Sequence, residues 1–278
     1  MSTHTETARQ AARRPLANLF PLTSNPIGRR YVLIGLQVAI TVALLATWEF
    51  GAQAGWINRF LFASPSMVWD VLVDRALSGE LLEDVWTTSV ETLVGYIVGA
   101  IGGSLIGLGL WYSRFISDLS APFIAALGSI PVLAVAPMTI IWFGTGILAK
   151  VMIVAFSCIV VSLTTSYKGA MRTDEDLINL MRSFNAKRSA IFLKLVVPAA
   201  MPWVFSGLKL CVGFSLVGAI VGEYITSQSG VGHMILLGSS NFSMNIVLAG
   251  IAVVMVMMLV FNALITLLER FILSWERK

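Results

Sequence analysis

Two ionisable side chains stand inside long apolar stretches of this sequence, Lys209 and Glu223. A charge in such a place is costly and ordinarily faces a cavity or a partner. The two lie 14 positions apart, roughly 21 Å along a helix, so they cannot pair within one helix. Glu223 has two readings: a gate or helix-pairing group near the outer end of a pathway, or a solvated group at a membrane interface. Lys209 either snorkels to the inner surface or lends positive charge to an inner vestibule. Other chemistry is scarce. Cys158 and Cys211 sit in apolar stretches and read as small buried hydrophobes, without a disulfide framework or metal-ligand spacing. His4 and His233 are too few and too far apart for zinc or haem. No Lys is followed by Ser or Thr, so a Walker-type phosphate loop is missing. No catalytic residue and no metal set emerges, which leaves a membrane-embedded enzyme without its chemistry.

Such isolated charges require long apolar helices around them. Hydrophobic residues make up 57% of the 278 and charged residues 12%, about half the charged share of soluble domains. Mean hydropathy is +0.83. This excludes a disordered chain, a basic nucleic-acid binder and almost any soluble enzyme, and leaves an all-α membrane protein with several spans. Lipid makes each span satisfy its own backbone, so long uncharged runs read as helices. They cover 31–48, 92–113, 119–149, 151–167, 199–226 and 246–268, each near the ~20 residues a span needs. The spacing predicts six transmembrane helices.

The third run contains Pro122, Pro131 and Pro137 and is too long for one straight helix. A helical lead-in from about Phe115, a span ending near Ile141 and an outer turn over residues 142–146 are expected. Trp142-Phe143 marks an interface belt or a gate. Broken helices expose backbone that only protein or water can satisfy. A solute path is therefore sought at Pro131 and Pro137 and at the facing wall of the fifth run, with Lys209 and Glu223. In the second run, Gly95, Gly99, Gly103 and Gly107 recur every fourth residue and form a smooth ridge. It permits close helix packing, or sliding of one helix on another.

Basic residues set the orientation, because Lys and Arg stay on the cytoplasmic side. With the N-terminus inside, 15 of the 19 Lys and Arg fall in the segments 1–30, 111–118, 168–198 and 269–278. Both termini are then cytoplasmic. The Arg29-Arg30 pair is read as a topology anchor rather than a twin-arginine signal, because no cleavage site follows. Acids gather in the outer segment 49–91, where Ser64-Pro65-Ser66 followed by Val68, Val71 and Leu72 predicts a short capped helix.

The cytoplasmic loop 168–198 carries a helix–turn–helix pattern. Thr173 caps a start whose first turn is acidic, Asp174-Glu175-Asp176. Leu177, Leu180, Met181 and Phe184 form one apolar face. Asn185 stands where a left-handed residue would end the helix. A second short helix carries Ile191, Phe192, Leu195 and Val196, and Pro198 closes it. The apolar face either packs on the chain's own spans or docks into a groove on a cytoplasmic partner.

This loop resembles the EAA loop of binding-protein-dependent ABC importer permeases. That pattern is Glu-Ala-Ala, three residues, Gly, nine residues, then Ile-x-Leu-Pro. Here the spacing reads Asn179-Leu180-Met181, Asn185, then Leu195-Val196-Val197-Pro198. The Glu and Gly are replaced by Asn179 and Asn185. The resemblance extends through Ser64-Pro65-Ser66-Met67-Val68, Ser129-Ile130-Pro131 to Ala136-Pro137, and Ile141-Trp142-Phe143-Gly144-Thr145-Gly146. It continues through Gly218-Ala219-Ile220-Val221-Gly222-Glu223 and Gly230-Val231-Gly232. These stretches are similar to the nitrate, sulfonate and taurine subgroup. Leu180-Met181-Arg182-Ser183 and Ser206-Gly207-Leu208-Lys209 look most like permeases for pyrimidine thiamine precursors.

The resemblance implies a type I importer permease with a cytoplasmic tail (1–30), a first transmembrane helix (31–50) and a periplasmic lead-in (60–85). A core permease domain (86–270) and a C-terminal tail (271–278) follow. It implies an ATP-binding subunit that hydrolyses ATP with Mg, a periplasmic or lipid-anchored substrate-binding protein, and a second permease copy, in a bacterial inner membrane. This chain itself would bind no cofactor and no nucleic acid. Asp176, Leu177, Asn179, Leu180, Met181, Phe184, Asn185, Ala186 and Pro198 would couple it to the ATPase. The solute would be small, anionic or heterocyclic: a sulfonate, taurine, nitrate or a pyrimidine. The alternative is a secondary transporter or channel working without an ATPase. That would want intramembrane acids or inverted repeats; Glu223 is the one acid well inside a run, and no repeat is visible.

Overall fold

A computed structural model describes residues 26–226 and 228–272. Most of the two expected tails, with Arg9, Arg13, Arg14, Arg277 and Lys278, lies outside the described residues. Every regular element among the described residues is helical. The described residues fall into two compact units, divided between Ser66 and Met67.

The first unit is built on α1 (Pro26–Gln53), whose side chains from Arg30 to Leu45 are exposed, as a helix solvated by lipid would be. Gly55 turns the chain at φ 78°. Asn58 accepts from the Phe60 amide at 2.9 Å and starts the short α2 (Arg59–Phe62). Glu49 takes the Ser66 amide at 2.9 Å and its hydroxyl at 2.8 Å. This anchors the start of α3 (Pro65–Ser78), the helix expected there.

The second unit continues with α4 (Glu80–Tyr112), α5 (Arg114–Gly128), α6 (Val132–Phe143) and α7 (Ile147–Met171). It ends with α8 (Glu175–Ser183), α9 (Arg188–Thr226), α10 (Val231–Ser240) and α11 (Met244–Ile272). Of the described helices, α1, α4, α7, α9 and α11 are long and apolar enough to cross a membrane. The pair α5 and α6 makes a sixth span if taken together. The helices overrun the uncharged runs at both ends, since a helix continues through the interface where charges are solvated.

The third run differs from expectation. It is two helices bent by 96°, with the break at Ser129-Ile130-Pro131. Pro131 precedes the first turn of α6, where its missing donor costs nothing, and it pushes Ile130 out of helical conformation. Pro122 and Pro137 lie inside α5 and α6 and break neither. Gly144, at φ 78°, ends α6 in the expected outer turn.

The centre of the unit is α7, flanked by α4 and α9. The glycine ridge explains the first contact. A Cβ on Gly99 would fall on the Ala155 backbone, and one on Gly107 on the Leu163 carbonyl. Gly103 would meet the Ile159 carbonyl and Gly95 the Val154 side chain. The ridge thus brings α4 against the backbone of α7. It includes a π-helical turn, Ile97–Ile101. Between α7 and α9, Cys158 and Cys211 are buried thiols, each Sγ near the other's carbonyl at 3.5 and 3.4 Å. They act as the small core side chains expected of them.

Candidate functional site

The inner end of the second unit carries a surface built by α8. Thr173 is buried, and its hydroxyl donates back to the Ala170 carbonyl at 3.0 Å, so it closes α7. The cap of α8 is the next residue: Asp174 Oδ1 accepts from the Asp176 amide at 2.9 Å. Glu175 and Asp176 sit on the first turn, where the helix dipole favours acids. At the other end Asn185 adopts φ 56°. Its amide donates to the Arg182 carbonyl at 2.9 Å and that of Ala186 to Met181 at 3.1 Å. This paired closure is the Schellman motif, with Met181 and Ala186 in its apolar contact positions. Asn185 supplies the left-handed residue.

The apolar face of α8 splits in two. Ile178 is buried, and Met181 and Ala186 pack with it against Leu108, Ile191, Val196 and Ala200. Leu177, Leu180 and Phe184 point away and are 46%, 53% and 78% exposed. The sequence pattern grouped Met181 with these three and passed over Ile178. Asp176, Asn179 and Pro198 are exposed as well. Asn179 Oδ1 accepts from Arg182 Nη1 at 3.2 Å. Past the turn, Phe192–Val196 widens into a π-helical turn just before Pro198, which cannot donate a backbone bond. From there α9 runs on without a break. The loop is therefore rigidly joined to a span at one end and anchored by a buried cluster beneath.

At the opposite end lies a second assembly. Glu223 is fully buried and Glu91 is 1% exposed. Glu223 Oε1 accepts from the Thr88 hydroxyl and Oε2 from the Gly232 amide, both at 2.6 Å. Thr88 in turn accepts from the Val231 amide at 2.9 Å. Glu91 is ion-paired with Lys150, itself 7% exposed. Asp84 accepts from the Gly230 amide at 2.8 Å and pairs with Arg75 at 2.9 Å. These bonds tie α3, α4, α7, α9 and the start of α10 together. Of the expectations for Glu223, the helix-pairing group describes this and the solvated interfacial group does not, because the carboxylate is buried among protein donors. Two donors hold it directly, the Thr88 hydroxyl and the Gly232 amide, and the Val231 amide fixes Thr88 in turn. Gly230 and Gly232 are required here, because a Cβ on either would strike the Glu223 carboxylate.

Lys209 also has a partner. Its ammonium pairs with Glu269 of α11, and both are part-buried. Of the path residues expected, Pro131 lines a cavity at the α5–α6 elbow, whereas Pro137, Lys209 and Glu223 do not. Glu91, Lys150, Thr88 and Asp84 were missed in the sequence, where Glu91 and Lys150 served only as the ends of apolar runs. The signal was present: with this topology, residues 91, 150 and 223 all fall at outer ends of spans.

Among the described residues, a capped helix and turn are thus joined rigidly to a bundle of long apolar helices, the arrangement of a membrane protein. Residues 95–274 match the family described as binding-protein-dependent transport system inner membrane component. A probable ABC transporter permease protein of Haemophilus influenzae is 30% identical over 84% of this chain and 96% of its own length. A putative aliphatic sulfonates transport permease protein of Bacillus subtilis is 27% identical over 97% of each chain. Among solved structures, an inward-facing MetNI methionine ABC transporter chain aligns with a TM-score of 0.60 at 17% identity. The alignment covers 74% of this chain and 98% of that one. The chain belongs to this family: it is the permease subunit of a binding-protein-dependent ABC importer, a multi-pass inner membrane component with the type I importer fold.

Proposed function

We propose that this permease draws its power stroke from a separate ATP-binding subunit, docked on α8 and the turn at Asn185. The observation that carries the reading is the exposed trio Leu177, Leu180 and Phe184 on a helix whose other face is fixed to the bundle. Three large apolar side chains on a capped cytoplasmic helix form a ready-made insert for a groove. Asp176, Asn179, Met181, Ala186 and Pro198 position that insert, and no phosphate loop in this chain supplies the hydrolysis. ATP and Mg then belong to the partner. Movement of that partner displaces α8, and the continuous α9 transmits the displacement to the spans. A second copy of the permease completes the pathway, and a periplasmic or lipid-anchored binding protein delivers the solute. The resemblance and the sulfonate relative support a solute among sulfonates, taurine, nitrate and heterocycles.

Charged substitution tests this. Leu180→Glu and Phe184→Glu lie on exposed positions, so the permease folds as before. Both are expected to abolish co-purification of the ATP-binding subunit and ATP-dependent uptake by proteoliposomes holding permease, ATPase and binding protein. Solute movement by the permease alone, without ATP or partners, would instead establish a secondary transporter or channel.

A further inference from the structure

A pocket of about 380 Å³ lies at the inner end of the bundle, where the ends of α4 and α7 and the starts of α5 and α9 meet α8. Three guanidinium groups line it, Arg114, Arg182 and Arg188, against one carboxylate, Glu175. The acid neutralises little: it stands 3.6 Å from Arg114 with both side chains exposed, and solvent screens such a pair. Arg182 Nη1 donates to a neutral group, Asn179 Oδ1, at 3.2 Å. The Arg188 guanidinium lies over the Trp111 and Tyr112 rings, 5.7 and 5.9 Å from their centroids. Among the described residues no acid pairs with Arg182 or Arg188. The helix α9 starts at Arg188 with no side-chain cap, so the positive end of its dipole adds to the same field.

Glu175, Asn179 and Arg182 recur at i, i+4 and i+7, on the side of α8 opposite Leu177, Leu180 and Phe184. The pocket therefore faces the bundle and not the surface on which an ATP-binding subunit would dock. Trp111 and Tyr112 end the apolar run of α4, the level at which aromatic side chains border a bilayer. Phe115, Ile116 and Leu119 follow Arg114 on α5 and are exposed. Polar pocket and apolar helix face are thus continuous, with guanidinium groups at one end and hydrocarbon at the other. An amphiphile with an anionic head uses both; a free anion uses only the first. The planar guanidinium fork matches phosphate oxygens in bidentate geometry, and basic pockets at the cytoplasmic ends of membrane helices suit anionic head groups. We propose that this pocket seats the phosphate of an anionic phospholipid of the inner leaflet, which clamps α8 to the ends of α4 and α9. This requires the cytoplasmic placement of α8 and not the docking of an ATPase.

The test uses the full-chain permease in mild detergent, mixed with equal amounts of phosphatidylglycerol and phosphatidylcholine, and native mass spectrometry counts the lipid retained. The wild type is expected to keep phosphatidylglycerol in preference to phosphatidylcholine. Arg182→Gln combined with Arg188→Gln, both at exposed positions, weakens that retention about tenfold or more. Lys194→Gln removes an exposed charge outside the pocket and leaves retention unchanged. Excess inorganic phosphate does not displace the lipid. Equal retention of both lipids overturns the proposal, as does a loss with Lys194→Gln as large as with the arginine pair, since general surface charge would then suffice. Displacement by inorganic phosphate overturns it in favour of a soluble anion. If the arginine variant keeps the lipid but no longer co-purifies with the ATP-binding subunit, the pocket belongs to that interface; the lipid site falls and the importer reading stands.

Discussion

Lys150→Met removes the cation that acts on two buried carboxylates at the outer end of the bundle. Glu91 is 1% exposed and Glu223 fully buried, and Lys150 is the cation within electrostatic reach of both. Glu223 keeps its bonds from Thr88 and Gly232, but Glu91 loses its ion pair, and its Oε2 already has no hydrogen-bond partner. Stripping one partner from a buried pair costs about 3–5 kcal/mol, because the remaining charge is neither solvated nor balanced. At about 2–4 °C per kcal/mol for a chain of this size, the melting midpoint in detergent falls by about 6–20 °C. Tryptophan fluorescence against temperature measures it. The decisive control is the double variant Glu91→Leu with Lys150→Met. An apolar pair of similar volume restores most of the lost stability, because the cost arises from the orphaned charge and not from the missing volume. A single variant within about 1 °C of wild type would refute the reasoning. A double variant as unstable as the single one would refute it equally.

Four further substitutions, at three positions, probe the remaining structure. Gly99→Leu forces a side chain onto the Ala155 backbone and costs at least the ~1–3 kcal/mol of overpacking, whereas Gly102→Ala points into open space and gains about 0.5–1 kcal/mol; the two thermal midpoints should move in opposite directions. Asn185→Gly leaves co-purification of the ATPase unchanged, because the position needs only a left-handed residue. Asn185→Val strains the turn by about 1–2 kcal/mol, and it is expected to weaken co-purification and speed proteolysis of the loop.

The sequence carried the helices well, because lipid enforces long uncharged runs and leaves few alternatives. The helix α8 was legible to its last turn: the acidic first turn and Asn185 both act as their chemistry demands. Its cap moved by one residue, since Thr173 has a competing acceptor in the Ala170 carbonyl that only the close of α7 provides. Its exposed face was misjudged at Met181 because the loop doubles back and covers that side with Ile191 and Val196. A periodicity reports one helix and cannot show what lies across from it. The elbow was half legible. Three prolines announced a break, but only Pro131 stands where the chain is free to turn. The outer charge network was hidden for a different reason. Glu91, Lys150 and Glu223 are 59 and 73 residues apart along the chain, counted in order. They meet only because the glycine ridge of α4 and the glycines of α9 bring three helices together.

The central claim is that a motor clasps the inner surface at α8. Phe184, 78% exposed, is the position from which to test it, by placing a photoreactive phenylalanine analogue there in membranes that contain the assembled importer. Illumination should yield one adduct, joining this permease to the ATP-binding subunit. Adducts to lipid alone, or to the periplasmic binding protein, would contradict the account.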